Sequence, residues 1–157
     1  MAVQPVPEGY NTVTPYLAVD DATAAIDFYQ RAFGAKERGR MASPDGKIAH
    51  AELEIGDSLV MLSDPFPQFQ ARPPKELGGT SVGVFLYVDD VDAVFKQAID
   101  AGATSTMEPE DQFWGDRFGS VTDPFGHSWQ IATHVEDVPP EEMAKRAEEA
   151  FAAMASS

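Results

Sequence analysis

The chain has 157 residues, 43% of them hydrophobic and 24% charged, which is enough for one domain with its own core and too little for two independent enzymes. It contains no cysteine, which rules out disulfides, thiolate nucleophiles and sulfur-bound zinc and leaves three histidines, the acids and neutral oxygens as possible metal ligands. The formal charge of -15 repels a phosphate backbone and favours cationic partners or simple solubility, so nucleic-acid binding is not expected.

The start, "MAVQPVPEGYN", has neither a basic head nor an apolar stretch, and no run anywhere approaches the length that spans a bilayer. A cytoplasmic protein without membrane contact is the expectation. The first element then reads from "YLAVDDATAAIDFYQRAFGA" (16–35): an apolar alternating strand, Val-Asp-Asp, and a helix in which Ala22, Ala25, Ile26 and Tyr29 share one face. Asp20 and Asp21 sit where a helix needs an N-cap, and Gly34 where it needs a left-handed stop. "KIAHAELEI" and "IGDSLVML" follow as strands around a Gly-x-Ser turn.

"SDPFPQFQARPPKELGGT" (63–80), rich in Pro, Gly and Gln, reads as a linker or lid. Beyond it the pattern returns. "FLYVDDVDAVFKQAIDAGA" (85–103) repeats the strand, the Val-Asp-Asp and the helix, with Val91, Val94, Phe95 and Ala98 on one face and Gly102 as the stop; "FGHSWQIA" repeats the Gly-x-Ser turn. Val19 to Val88 is an offset of 69 and Gly56 to Gly126 an offset of 70, so the chain is one β-α-β-β-β module written twice. The expected division is module 1 at about 12–63, the linker at 64–80, module 2 at about 81–135 and a C-terminal amphipathic helix at about 139–155 that packs on its own domain or on a neighbouring subunit.

Strand alternation then sorts side chains onto two faces. Leu17, Val19, Leu86 and Val88 should pack on the helices, with Ala49, Ala51, Leu53, Ile55, Val60, Leu62, Trp129 and Ile131. Thr14, Tyr16, Ala18, Gly83, Phe85 and Tyr87 then face the other way, with His50, Glu52, Glu54, Met61, Ser120, Thr122, Gln130 and His134. A largely apolar concavity with a few polar groups suits a small molecule. In "EDQFWGDRFGS", Phe113 and Trp114 are placed to stack on a flat ligand and Asp116 and Arg117 to orient it. The expected ligand-binding set is Tyr16, Met61, Phe85, Tyr87, Trp114, Asp116, Arg117 and Gln130. His50, tuned by Glu52 or Asp116, is the candidate general base if the protein is an enzyme, because imidazole titrates near neutrality.

With the repeat, "IAHAELEIGDSLVMLSD" and "FWGDRFGSVTDPFGHSWQI" in view, residues 13–134 resemble the vicinal oxygen chelate superfamily, which includes glyoxalase I, bleomycin-resistance proteins, fosfomycin-modifying transferases and extradiol dioxygenases, and most closely its PhnB-like branch. The resemblance implies an α+β fold in which the two tandem βαβββ modules curl mixed sheets into a shared cup, usually completed in a homodimer. It also implies that metal-dependent members hold their ion with four side chains on the first and last strands of the modules. Those positions fall here at Thr14, Met61, Gly83 and Gln130, of which only Gln130 could coordinate. No metal or other cofactor is therefore expected. His127 is assigned to its turn, and a relocated metal on His50, Glu52 and His134 is the alternative. The functional expectation is metal-independent binding of a small molecule, of the sequestering bleomycin-resistance type; lyase, isomerase or dioxygenase chemistry through His50 or the relocated metal is the alternative.

Overall fold

The computed structural model describes residues 2–157. In chain order the elements are β1 (Tyr16–Ala18), α1 (Ala22–Phe33), β2 (Lys36–Ala42), β3 (Ile48–Ile55), β4 (Ser58–Ser63), α2 (Pro74–Leu77), β5 (Gly83–Tyr87), α3 (Val91–Ala101), β6 (Thr104–Asp111), β7 (Asp116–Thr122), β8 (Ser128–His134) and α4 (Pro140–Ala155). The strands form two mixed sheets of four, ordered β1-β4-β3-β2 and β5-β8-β7-β6. In each, the first strand runs parallel to the last and the other pairs are antiparallel. The fold is thus α+β and internally duplicated.

Helices α1 and α3 start and stop where the sequence marks them. Asp21 and Asp90 accept from the backbone N–H of Ala24 and Ala93, each at 3.1 Å, and α1 ends at Gly34, whose φ of 67° suits a residue without Cβ. The first helical N–H of each module is bound by a side chain at or just past the end of its last strand. Asp64 accepts from Ala22 and Thr133 from Val91, both at 2.8 Å. Each helix is thereby tied to the last strand of its own βαβββ unit, which lies second in the sheet beside the first strand.

The core lies between the helices and the sheets. Leu17, Val19, Leu53, Leu62, Trp129 and Ile131 are buried, and α1 packs beside α3. Tyr29 and Phe33 of α1 reach the indole of Trp129, with ring centres 5.2 and 4.6 Å away. Asp123 fixes this joint. Its buried carboxylate accepts from Tyr29 Oη at 2.5 Å, Trp129 Nε1 at 2.8 Å and the backbone N–H of Phe125 and His127 at 2.8 and 2.9 Å. Burial and the adjacent carboxylate push the Tyr29 phenol well above its ordinary value, so it stays a neutral donor. His127 belongs to its turn, as expected, and its Nε2 also meets the Ala18 carbonyl at 2.8 Å, joining the second module to β1.

One alternation differs from expectation. The register between β2 and β3 slips between Met41 and Ala42, leaving Ala49 as an extra residue. This bulge sends Ile48 into the core and moves Ala49 to the side of Tyr16. Helix α4 buries none of its residues completely. It is held to module 2 by Arg146, paired with Glu136 at 2.7 Å, and by the edge-on contact of Phe151 with Phe113.

Candidate functional site

The faces opposite the helices carry two unlike groups of side chains. On module 1, Tyr16 is half-exposed and its hydroxyl lies 3.0 Å from His50 Nδ1. His50 Nε2 lies 3.4 Å from Glu52 Oε1, as expected for residues two apart on one strand face. Tyr10 reaches the same carboxylate from the segment before β1. Tyr10 and His50 hold Glu52 below its ordinary pKa against the effect of burial, and burial with the Glu52 charge pushes the Tyr10 phenol up to about 12. The Tyr10 oxygen nonetheless falls short of good hydrogen-bond geometry and is buried without a partner. Met61 of β4 stands between Tyr16 on β1 and Glu52 on β3, its register partners.

On module 2, a buried carboxylate organises a set of aromatic rings. Asp116 accepts from Tyr87 Oη at 2.8 Å, Trp114 Nε1 at 3.0 Å and His134 Nδ1 at 2.8 Å. Burial opposes its ionisation, but the bonds from His134, Tyr87 and Trp114 outweigh that cost and hold its pKa below the ordinary value. The hydrogen bond to Asp116 in turn raises Tyr87, and the bonds to Asp116 and then Asp137 raise His134. Around this centre, ring centres are separated by 5.0 Å for Phe85 and Tyr87, 5.7 Å for Phe85 and Phe118, and 6.0 Å for Trp114 and Phe118, within the range in which aromatic pairs attract. Phe85 and Tyr87 remain 45% and 65% exposed, so the set presents open ring surface.

The two faces meet at a cleft of about 930 Å³ bordered by Tyr16 on one side and by Gly83 and Phe85 on the other, with Arg72 and Leu77 of the linker above. This volume suits a drug-sized molecule. The structure therefore brings Tyr16, His50, Glu52 and Met61 together on one module and Phe85, Tyr87, Trp114 and Asp116 on the other. Gln130 lies beside Phe85 in register and donates to Ser128 Oγ at 2.8 Å. Arg117 is not brought to them. Its guanidinium pairs with Asp92 of α3 at 2.7 Å and Asp111 at 3.2 Å, on the helix side, because adjacent strand residues point to opposite faces and Asp116 already occupies the open one. Phe118, two residues past Asp116, was legible by the same alternation and was missed. Tyr10 was not legible, since nothing local indicates where the segment before β1 runs.

Over residues 9–131 the sequence matches the profile of the Glyoxalase/Bleomycin resistance protein/Dioxygenase superfamily. The chain belongs to this superfamily. It is 50% identical over 134 residues to the uncharacterized protein Rv0887c of Mycobacterium tuberculosis, a match covering 83% of this chain and 79% of the relative. Among solved structures it resembles TioX from Micromonospora sp. ML1, with a TM-score of 0.63 and 29% identity over 80% of this chain and 99% of the other. The PhnB protein from Bacillus cereus shares the fold, with a TM-score of 0.61 and 18% identity over 78% of this chain and 99% of the other.

The positions that hold metal in metal-dependent members of the superfamily do not fit an ion here. Thr14 lies before β1 and donates to the Asn11 carbonyl. Met61 and Gly83 offer no nitrogen or oxygen side chain. The Gln130 amide is folded onto Gly83, where a Cβ would lie 2.2 Å from its Oε1. Among the described residues no group of three His, Asp or Glu side chains is arranged to hold a metal, and His134 is committed to Asp116 and Asp137 rather than to His50 and Glu52. No helix among them is long and apolar enough to cross a membrane.

Proposed function

We propose that this superfamily member binds a flat organic molecule without a metal, on the aromatic face of module 2, with the cleft to module 1 as its entrance. The observation that carries this reading is the open ring surface of Phe85 and Tyr87, backed by the half-buried rings of Phe118 and Trp114, around a buried, fully hydrogen-bonded Asp116. Tyr and Trp present large contact areas at small entropic cost, and here the Asp116 bonds fix two of the rings before any ligand arrives. Gln130 supplies a neutral polar group at the edge of the face. A second copy of the chain would cover the rings left exposed and close the cup.

Charge favours a cation. Residues 81–157 carry 15 of the 26 acidic residues and only four of the 11 Lys and Arg. A cationic aromatic gains from the ring faces and from the surrounding field. Calorimetric titration of chelator-treated protein with 9-aminoacridine and with 9-anthracenecarboxylate, matched in ring shape and opposite in charge, tests both points. The expected result is binding of both, with the cation tighter by about tenfold at low salt. Binding of neither, or binding only after a divalent metal is added, contradicts the proposal.

The Tyr16, His50 and Glu52 contacts favour a second reading, in which module 1 transfers protons. There His50→Ala would abolish turnover of a carbonyl substrate and leave its binding within about tenfold; loss of binding and turnover in equal measure would reduce His50 to a contact.

A further inference from the structure

Three features of module 1 and the linker meet at Tyr16. The first is the order of hydrogen bonds. An ionised carboxylate can only accept, so Glu52 at Nε2 selects the tautomer of His50 that carries its proton there. Nδ1 is then a lone-pair acceptor, and it lies 3.0 Å from the Tyr16 oxygen. This is the order of nucleophile, base and orienting acid found in acyl-transfer sites.

The second feature is a slot of about 300 Å³ lined by Tyr16, Ala49, Ser63, Phe66, Phe69 and Ala71. The bulge at Ala49 contributes only a methyl group to its wall. The third is the cover. Phe66 and Ala71 exchange two backbone hydrogen bonds of 3.2 Å, and the short loop they close holds Gln70 at a φ of 58°, a left-handed conformation costly for a residue with Cβ. The cover is thus a braced turn that brings Phe66 and Phe69 into the same slot as Tyr16.

We infer that Tyr16 is a nucleophile for small, flat activated acyl esters, with His50 as its base and Glu52 as the residue that positions His50. The Tyr16 O–H proton passes to His50 Nδ1 as the phenolic oxygen attacks the ester carbonyl carbon. The bond from that carbon to the leaving oxygen breaks, and the departing alcohol takes the proton from Nδ1 or leaves it to solvent. The product is O-acyl Tyr16 beside a neutral imidazole. Water attacking the same carbon, with His50 again accepting a proton, releases the acid and restores the phenol. The inference goes beyond the second reading above by making Tyr16, not His50, the group that meets the substrate.

Module 2 provides an internal control. Tyr87 is the more exposed phenol, but it donates to the Asp116 carboxylate, whose charge disfavours a phenolate, and no imidazole is its partner. The test uses the whole chain and p-nitrophenyl acetate, with peptide mass spectrometry to locate acetyl groups and hydroxylamine to distinguish phenyl esters from acetylated lysines. Acetylation of Tyr16 is expected to exceed that of Tyr87 by about 100-fold, the ordinary contribution of a positioned base. His50→Gly should remove that advantage and added imidazole should restore part of it, which a folding defect would not do. Glu52→Gln should lower the maximal rate and leave the half-saturating ester concentration unchanged. Tyr16 no faster than Tyr87, or a Tyr16 rate indifferent to loss of His50, overturns the inference while leaving His50 free to act as a base on carbon.

Discussion

On the helix-free face of module 1, Tyr16, His50 and Glu52 are linked by one bond of 3.0 Å and one of 3.4 Å, and all remain accessible. On the matching face of module 2, Asp116 is 2% exposed and takes three hydrogen bonds of 3.0 Å or less. The same chain path therefore supports a loose hydrogen-bonded chain in one copy and a rigid aromatic wall in the other. Duplication fixes where side chains emerge, and local chemistry decides whether they are held or left free to react.

The largest expected separation between the modules is in stability. Asp116→Ala leaves Tyr87, Trp114 and His134 without their shared acceptor and should cost about 3 kcal/mol in denaturant unfolding. Glu52→Ala breaks only partly exposed contacts and should cost less than about 1 kcal/mol. Equal losses would erase the contrast. In binding, Phe85→Ala should weaken 9-aminoacridine by about tenfold, close to 1.4 kcal/mol, while Met61→Ala on the other module changes it by less than about twofold. A reversed order would move the ligand to module 1.

A smaller effect is expected at Gly83. A Cβ there would displace the end of the flexible Gln130 side chain and break its bond to Ser128, so Gly83→Ala should cost about 1 kcal/mol, and Gln130→Ala in the same chain should relieve most of the clash. Failure of the second change to help would mean that backbone, not Gln130, fills the space. The smallest effect is a pH dependence. Because hydrogen bonds to Asp116 and Asp137 raise the His134 pKa, its clamp is fully formed below the unfolded value and is lost as pH rises through the folded one. Proton NMR should place the His134 midpoint above the ordinary 6.5. A midpoint at or below that value would show that the clamp does not hold the charged form.

Much of this was legible in the residues. The repeat predicted both modules, because Asp caps, Gly stops and alternation are local signals with direct backbone consequences. Alternation also placed Tyr16, His50, Phe85, Tyr87 and Gln130 on the open faces. It failed at Ala49, where a bulge depends on pairing with β2, and it was misapplied at Arg117, whose neighbour Asp116 had already claimed the open face. The bonds that give the modules different characters were beyond it. Tyr87 to Asp116 spans 29 positions and Tyr16 to His50 spans 34, and such pairings are set by tertiary packing rather than by local pattern.

The central claim is that module 2 offers a preformed, metal-independent surface for a flat ligand. Crystals of chelator-treated protein soaked with a library of flat aromatic fragments test it most directly. The account predicts fragment density stacked on Phe85, Tyr87, Phe118 and Trp114 with Asp116 unmoved; density confined to other surfaces, or appearing on these rings only when a divalent metal is supplied, would contradict it.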